Sequence, residues 1–444
     1  MSTDTNPPSG TRDFLAAELT RRERAFATVR RVFARHGFEP LDTPAFERLD
    51  VLLGKYGEEG DQLIFKILRR GEHEDTGEAD LALRYDLTVP LARVVAQHSD
   101  QIVEPYKRYH IAPVWRADRP GRGRYREFVQ CDIDVVGSDS RLADAEVILT
   151  VAEALAALGL DRFEVQVNSR HALRGLIEAY GIPVELEDTA LVALDKLDKV
   201  GADGVERELR DRGIPDDAVK RLAADLREPD AAQRLAAQAA TTDRGQAGRA
   251  EIGEVLALVE PNLTAGRVRH QPLLARGLSY YTGPIFEFVA DGVPGSIAAG
   301  GRYDQLVGMF TNREIPACGC SIGLERVLLL LDGRDATGHA PDVLVTVFGA
   351  GDRADAVATA GRLRAGGLAT DLYVGSGRIG KQLRYADRRG IRYCVLRGSD
   401  EQAAGTASVK DLVTGEQVTV GVDGLVDHLS ERLGADQRAQ EVAR

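Results

Sequence analysis

Apolar positions recur mostly at three- and four-residue steps through Leu15, Leu19, Phe26, Val29 and Phe33, which marks one stripe of an amphipathic helix that Gly37 can end. Residues 62–70 and 81–89 then read as strands joined by a polar, glycine-containing loop, and 91–98 as a helix-like stretch. Two longer strand-like runs, 105–116 and 125–136, flank a basic loop from Arg116 to Arg124, so this half predicts antiparallel sheet. From about Leu173 to Val259 the pattern becomes helical and poor in aromatics, which predicts a helical insertion. Strand-like, glycine-rich sequence resumes over 272–310, and 322–331 reads as a buried apolar helix. Beyond Pro341 the order is strand (343–348), helix (353–364), strand (369–374), helix (379–389) and strand (391–396), the alternation of a separate α/β domain.

Composition narrows the class. The 444 residues are 43% hydrophobic and 28% charged, enough to bury a substantial core and too apolar for wholesale disorder. Lys and Arg total 57 against 69 Asp and Glu, so the net charge of −12 excludes a generally basic coat, and any nucleic-acid surface must be local. Cys131, Cys318, Cys320 and Cys394 are too few and too scattered for a disulfide framework, which points to a reducing, cytoplasmic setting. The pair Cys318 and Cys320 lacks a second ligand pair and reads as buried small residues in preference to zinc ligands. No run approaches the roughly 18 apolar residues of a membrane span. The polar start from Met1 to Gly10 lacks the apolar core of a signal peptide. A G-x-G-x-x-G run, Gly375 to Gly380, follows a predicted strand, with Asp400 downstream. It does not open the first strand-turn-helix unit, so it is read as a tight turn beside Lys381, not as a dinucleotide site.

Candidate chemistry comes from alternation. As strands, Arg84, Asp86 and Thr88 would share a face opposite Leu81, Leu83, Tyr85 and Leu87, and Phe128, Gln130, Asp132 and Asp134 a face opposite Val129, Cys131, Ile133 and Val135. Carboxylates, an amide and a hydroxyl would thus line one surface. Lys107, Arg108, Arg116, Arg119, Arg122, Arg124 and Arg126 crowd the hairpin beside it, and Arg276, Arg302 and Arg326 add guanidinium groups from beyond the insertion. Planar guanidinium forks engage phosphate oxygens in pairs, so the cluster suits polyphosphate or RNA.

In order along the chain these residues resemble the class II histidyl-tRNA synthetase family, and the resemblance covers nearly the whole sequence. Phe38 to Pro44 resembles the first class II motif, Trp115 to Asp134 the second, and Gly323 to Arg326 the third. Arg276 to Tyr281 and Gly300 to Asp304 resemble the two histidine-specific motifs. The resemblance implies an α+β catalytic domain on an antiparallel sheet, with the helical insertion and the C-terminal α/β domain as an anticodon-binding domain. Its parts would be 1–172 and 261–335 for the two portions of the catalytic core, 173–260 for the insertion and 341–444 for the last domain. It implies that histidine is activated with ATP and Mg²⁺ and then passed to the 3′ end of tRNA(His) by a homodimer with no membrane attachment. Arg116 would contact the α-phosphate with Arg276 opposite, Phe128 would stack on adenine, and Arg124 and Arg326 would hold ATP. Asp86, Thr88 and Gln130, with Leu87 between the first two, would receive the α-ammonium group. Asp134 and Tyr281, with Tyr280 and Tyr303, would line the imidazole pocket. No protein general base and no dedicated metal site are implied. Ser279 stands where the family commonly has Asp. Two other readings are a non-catalytic regulatory subunit of histidine biosynthesis and a ligase serving a metabolite or carrier protein. The presence of the Arg276 motif and of the last domain argues against both.

Overall fold

The computed structural model describes residues 4–56, 58–71, 76–276, 280–311, 313–331 and 340–442. The chain divides into two compact units, Met1–Phe14 with Arg22–Asp335, and Leu15–Arg21 with Ala336–Arg444. The predicted first helix is Ala16–Arg35, but its buried stripe starts late: Arg22, Ala25, Phe26, Val29, Val32 and Phe33 are covered, whereas Leu15 and Leu19 are exposed. Gly37 follows with φ +78°, the left-handed stop that its lack of a Cβ permits.

In chain order the strands of the larger unit are β1 (Glu39–Pro40), β2 (Phe46–Arg48), β3 (Lys66–Leu68), β4 (Ala79–Leu83), β5 (Tyr106–Trp115), β6 (Glu127–Val136), β7 (Glu164–Ser169), β8 (Arg267–His270), β9 (Pro284–Val289), β10 (Ser296–Arg302) and β11 (Ala317–Gly323). Eight of them form one sheet in the order β1-β5-β6-β11-β10-β9-β7-β8. Its middle is antiparallel, while the edge pairs β1–β5 and β7–β8 run parallel. One face carries Cys131, Ile133, Cys320, Ile322, Phe286 and Phe288 into a core shared with the first helix and the helices Arg141–Ala157 and Leu324–Leu330. The opposite face is the floor of the site described below.

Several predicted boundaries move: the strands expected over 62–70, 343–348 and 369–374 shorten to Lys66–Leu68, Val343–Val345 and Thr370–Leu372. The strand expected over 81–89 ends at Leu83, and residues 84–87 turn into the helix Thr88–Gln97. Asp86 Oδ1 accepts the Val89 N–H at 3.0 Å, satisfying an amide that the first helical turn leaves without a partner. Asp86 and Thr88 are therefore presented by a turn and a helix start, not by one face of a strand. The helix expected over 322–331 starts at Leu324, because the ladder keeps Ile322 in β11 opposite Cys131 and Ala298.

The insertion is helical from Arg170–Ala179 to Asp243–Val259. Its Leu173, Leu176, Ile177, Leu191, Val205 and Leu222 belong to the same apolar cluster as Tyr280, Tyr281 and Tyr303, so the insertion shares a core with the tyrosines of the site.

The smaller unit contains β12 (Val343–Val345), β13 (Thr370–Leu372), β14 (Tyr393–Leu396), β15 (Thr406–Asp411) and β16 (Gln417–Gly421) in the order β13-β12-β14-β15-β16. The predicted α/β alternation supplies the parallel part, and an unforeseen antiparallel hairpin, β15–β16, completes it. Separate apolar clusters cover its two faces. The Gly375–Gly380 run is not the expected tight turn but a bend that passes into the helix Ile379–Arg389, and its Ser376 carbonyl accepts Lys381 Nζ at 3.0 Å. Among the described residues no helix is long and apolar enough to cross a membrane.

Candidate active site

Ladder register decides which side chains share the floor. Asp134 lies opposite Arg108 on β5 and Gly319 on β11, and Asp132 lies opposite His110 and Ser321. Gln130 faces Ala112 and Gly323, and Phe128 faces Val114. The row continues from Ser321 through Ala299 on β10 to Glu287 on β9. Small residues keep this floor low: a Cβ on Gly319 would sit 2.0 Å from Asp134 Oδ1, and one on Gly301 would sit 2.9 Å from the Tyr281 ring.

Three carboxylates meet in this space with few cations to balance them. Asp86, Asp132 and Asp134 are each 2% exposed. Burial raises the pKa of all three, Asp132 to about 7, and each feels at least one of the others. Asp86 Oδ1 also accepts the Tyr56 hydroxyl at 3.0 Å, while its Oδ2 has no hydrogen-bond partner. Gln130 donates Nε2 to Ser321 Oγ at 2.8 Å, which leaves its Oε1 without a partner. Asp134 Oδ1 accepts the Tyr303 hydroxyl. Arg108, fully buried, stands 2.8 Å from Asp134 Oδ2 as an ion pair, yet that oxygen has no aligned hydrogen bond and can accept a further N–H. Buried acceptors without partners are costly, and a ligand that donates would satisfy them.

Arginines gather beside the acids. Arg116 stands at the end of β5 with its Nε 3.0 Å from the Tyr85 carbonyl and its guanidinium over the Tyr85 and Phe128 rings, 4.3 and 5.3 Å from their centroids. Arg276 enters from the far side of the floor and pairs with Glu287 on β9. Burial alone would lower the pKa of Arg276, but Glu287, with Tyr281 nearby, raises it, so the group stays cationic. Arg326 donates Nη1 to the Ser296 carbonyl at 2.6 Å. Its pKa is pushed down by burial and then by Arg124, Arg276 and Arg116. Four guanidinium groups thus lie within electrostatic reach of one another, an arrangement that a bound anion would relieve. Arg124 pairs with Asp118 at 2.7 Å on the rim.

The tyrosines close the pocket. Tyr280, Tyr281 and Tyr303 are nearly fully buried, with the Tyr280 centroid 4.9 Å from Tyr281 and 6.0 Å from Tyr303. Burial raises the pKa of the Tyr281 hydroxyl, and the Arg276 cation nearby opposes that rise. Thr88 is half-buried at its helix start. Leu87 is fully buried against Ala112, Val114 and Phe128, so it meets the site through its backbone, where its carbonyl accepts Arg108 Nη2 at 3.0 Å. Ser279 lies outside the described residues.

The expected cationic cluster divides. Arg108 is consumed by Asp134, Lys107 by Glu146 and the His36 carbonyl, and Arg302 by Asp144 at 2.7 Å and Asp304 at 3.2 Å. Arg108 and Arg302 are almost wholly buried in these pairs and hold the fold, whereas Arg124 and Arg276 are paired but keep part of their surface open. Tyr56, Glu287 and Ser321 belong to the site but escaped the sequence reading. Tyr56 sits in a stretch with no periodic pattern, whereas Glu287 was visible as the lone acid in an otherwise apolar strand.

A family model described as histidyl-tRNA synthetase matches residues 10–327, and one described as an anticodon binding domain matches residues 342–432. A histidine–tRNA ligase of Cytophaga hutchinsonii is 41% identical over 95% of this chain and 98% of its own length. One of Gloeobacter violaceus is 42% identical over 92% and 94%. The crystal structure of a histidyl-tRNA synthetase from Nostoc sp. PCC 7120 superposes with a TM-score of 0.76 at 31% identity, covering 97% of this chain and all of that one.

Proposed function

The chain belongs to the histidyl-tRNA synthetase family, and from that premise we propose how its residues carry out the family's reaction. It is a histidine–tRNA ligase that joins L-histidine to ATP as histidyl-adenylate with release of pyrophosphate and then charges the 3′ end of tRNA(His). The observation that carries the residue assignment is the junction of an electron-rich pocket with an electropositive one: Asp86, Gln130 and Asp134 on the floor, Arg116, Arg124, Arg276 and Arg326 beside it. A histidyl-adenylate has the complementary halves, an ammonium group and a ring N–H at one end and an anionic acyl phosphate at the other.

Asp86 Oδ2 and Gln130 Oε1, with the Thr88 helix start, take the α-ammonium group. Asp134 Oδ2 accepts a ring N–H, and the hydroxyl of Tyr281, with Tyr280 and Tyr303 packed about it, addresses the other face of the imidazole. Phe128 carries the adenine, and Arg124 and Arg326 hold the outer phosphates. The histidine carboxylate is the nucleophile, so no side chain need remove a proton in this step. Arg116 and Arg276 brace the α-phosphoryl group from two sides where charge grows during attack. Among the described residues no three His, Cys, Asp or Glu side chains form a metal cage. Mg²⁺ would arrive with ATP, where it would neutralise the departing pyrophosphate.

The insertion (173–260), the loop bearing Arg119, Arg122 and Arg124, and the domain 341–444 form the tRNA surface, and the enzyme works in the cytoplasm as a homodimer built on the Phe38–Pro44 segment. The test is twofold: histidine-dependent exchange of labelled pyrophosphate into ATP, and aminoacylation of total tRNA with each amino acid in turn. Histidine alone should support both. Exchange driven equally by another amino acid would overturn the pocket assignment.

A further inference from the structure

A side-chain amide offers an acceptor at one end and donors at the other, and the end that faces a ligand decides whether a cation is welcomed or repelled. Gln130 is 8% exposed and points its Nε2 at Ser321 Oγ, 2.8 Å away. Nothing in Gln130 itself imposes that choice. The neighbouring residue on the same face is Asp132, two positions on and directly opposite Ser321 in the β6–β11 ladder. That placement puts its carboxylate within reach of the Ser321 hydroxyl, and among the described residues it makes no ion pair within 4.0 Å and leaves Oδ1 without a partner. A buried carboxylate without a salt bridge is expensive to keep. The reaction as derived above gives it no task.

We propose that Asp132, acting through Ser321, fixes the Gln130 amide with its oxygen toward the substrate, and so makes the pocket selective for an α-ammonium group. The Ser321 hydroxyl has one proton. With Asp132 ionised, the state that a bound α-ammonium group favours, and the hydroxyl proton committed to it, the Ser321 oxygen can only accept, so the amide nitrogen must turn toward Ser321 and Oε1 is left for the ligand. A neutral amide in place of Asp132 can itself donate to Ser321. The hydroxyl can then donate to Oε1, and the amide can reverse to meet the ammonium with its own N–H groups. Asp132 is thus a positioning residue, and the inference rests on the assignment of Gln130 to the ammonium group.

The test compares two ligands on the full-length enzyme: L-histidine and its α-hydroxy analogue, which keeps the imidazole and carboxylate but carries –OH for –NH₃⁺. Dissociation constants by calorimetry give the ratio of the two affinities. Asp132→Asn and Ser321→Ala should each shrink that ratio at least about tenfold, the size of one lost hydrogen bond to a charge. The loss should appear in the KM for histidine, with kcat of pyrophosphate exchange and the KM for ATP little changed, and Ser321→Thr should restore the ratio. Gln130→Leu is the reference. If it leaves the ratio intact, Gln130 does not hold the ammonium and the inference falls with that assignment. If it abolishes the ratio while both other variants preserve it, Gln130 keeps its role and the coupling through Asp132 is wrong. Should Asp132→Asn not fold, Ser321→Ala, which removes one oxygen, decides alone.

Discussion

Arg276 shows what a single residue must satisfy to act on a transition state. It is held by Glu287 and kept charged by it. A cation of this kind gains most from charge that appears only as the phosphorus is attacked, so Arg276→Ala should lower the kcat of histidine-dependent pyrophosphate exchange by about 10²- to 10³-fold. The KM values for ATP and histidine should move far less. Equal losses in rate and affinity would assign Arg276 to ground-state binding. At this scale the sequence was informative about residue type but not about allegiance: Arg108 and Arg302 read like Arg116, yet buried Asp134 and Asp144 claim them. Partner choice depends on ladder register and loop path, neither of which is local.

Within elements, β5 and β6 were legible because alternation survives when one face is apolar. Residues 84–88 were misread because a polar-apolar alternation of five residues is equally served by a turn that ends in a helix cap. His110, at mid-β5, has its own consequence. Burial lowers its pKa to about 4, helped by Arg108 and Arg84 and opposed by the hydrogen bond to Asp42 at 3.0 Å. The unfolded chain titrates near 6.5, so it binds the proton that the folded state refuses between those values. Stability linked to His110 is therefore whole above pH 6.5 and drains away as pH falls toward 4, by up to about 3 kcal/mol. Urea midpoints followed by the fluorescence of Trp115, the chain's one tryptophan, should fall across that window in the wild type and fall less in His110→Gln. Parallel declines would remove His110 from the explanation.

For the whole molecule, the two units have separate apolar cores, so a cut between them divides neither. Removing the residues after Gly338 should leave pyrophosphate exchange measurable while aminoacylation of tRNA falls by about 10²-fold or more. tRNA binding by the full chain should weaken steeply with added salt through counterion release. A truncated enzyme that charges tRNA as well as the full chain would refute an RNA-binding role for the last domain. By itself the sequence determined the element types, the order of the motifs and the separate α/β unit, because periodicity and spacing are properties of neighbouring residues. Only the tertiary structure decided which acids keep an oxygen without a partner, which arginines are buried in a carboxylate pair, and that Ser321, Glu287 and Tyr56 join the site. Those outcomes follow from strand register and burial, which bring together groups up to two hundred positions apart and make an unmatched charge or acceptor matter.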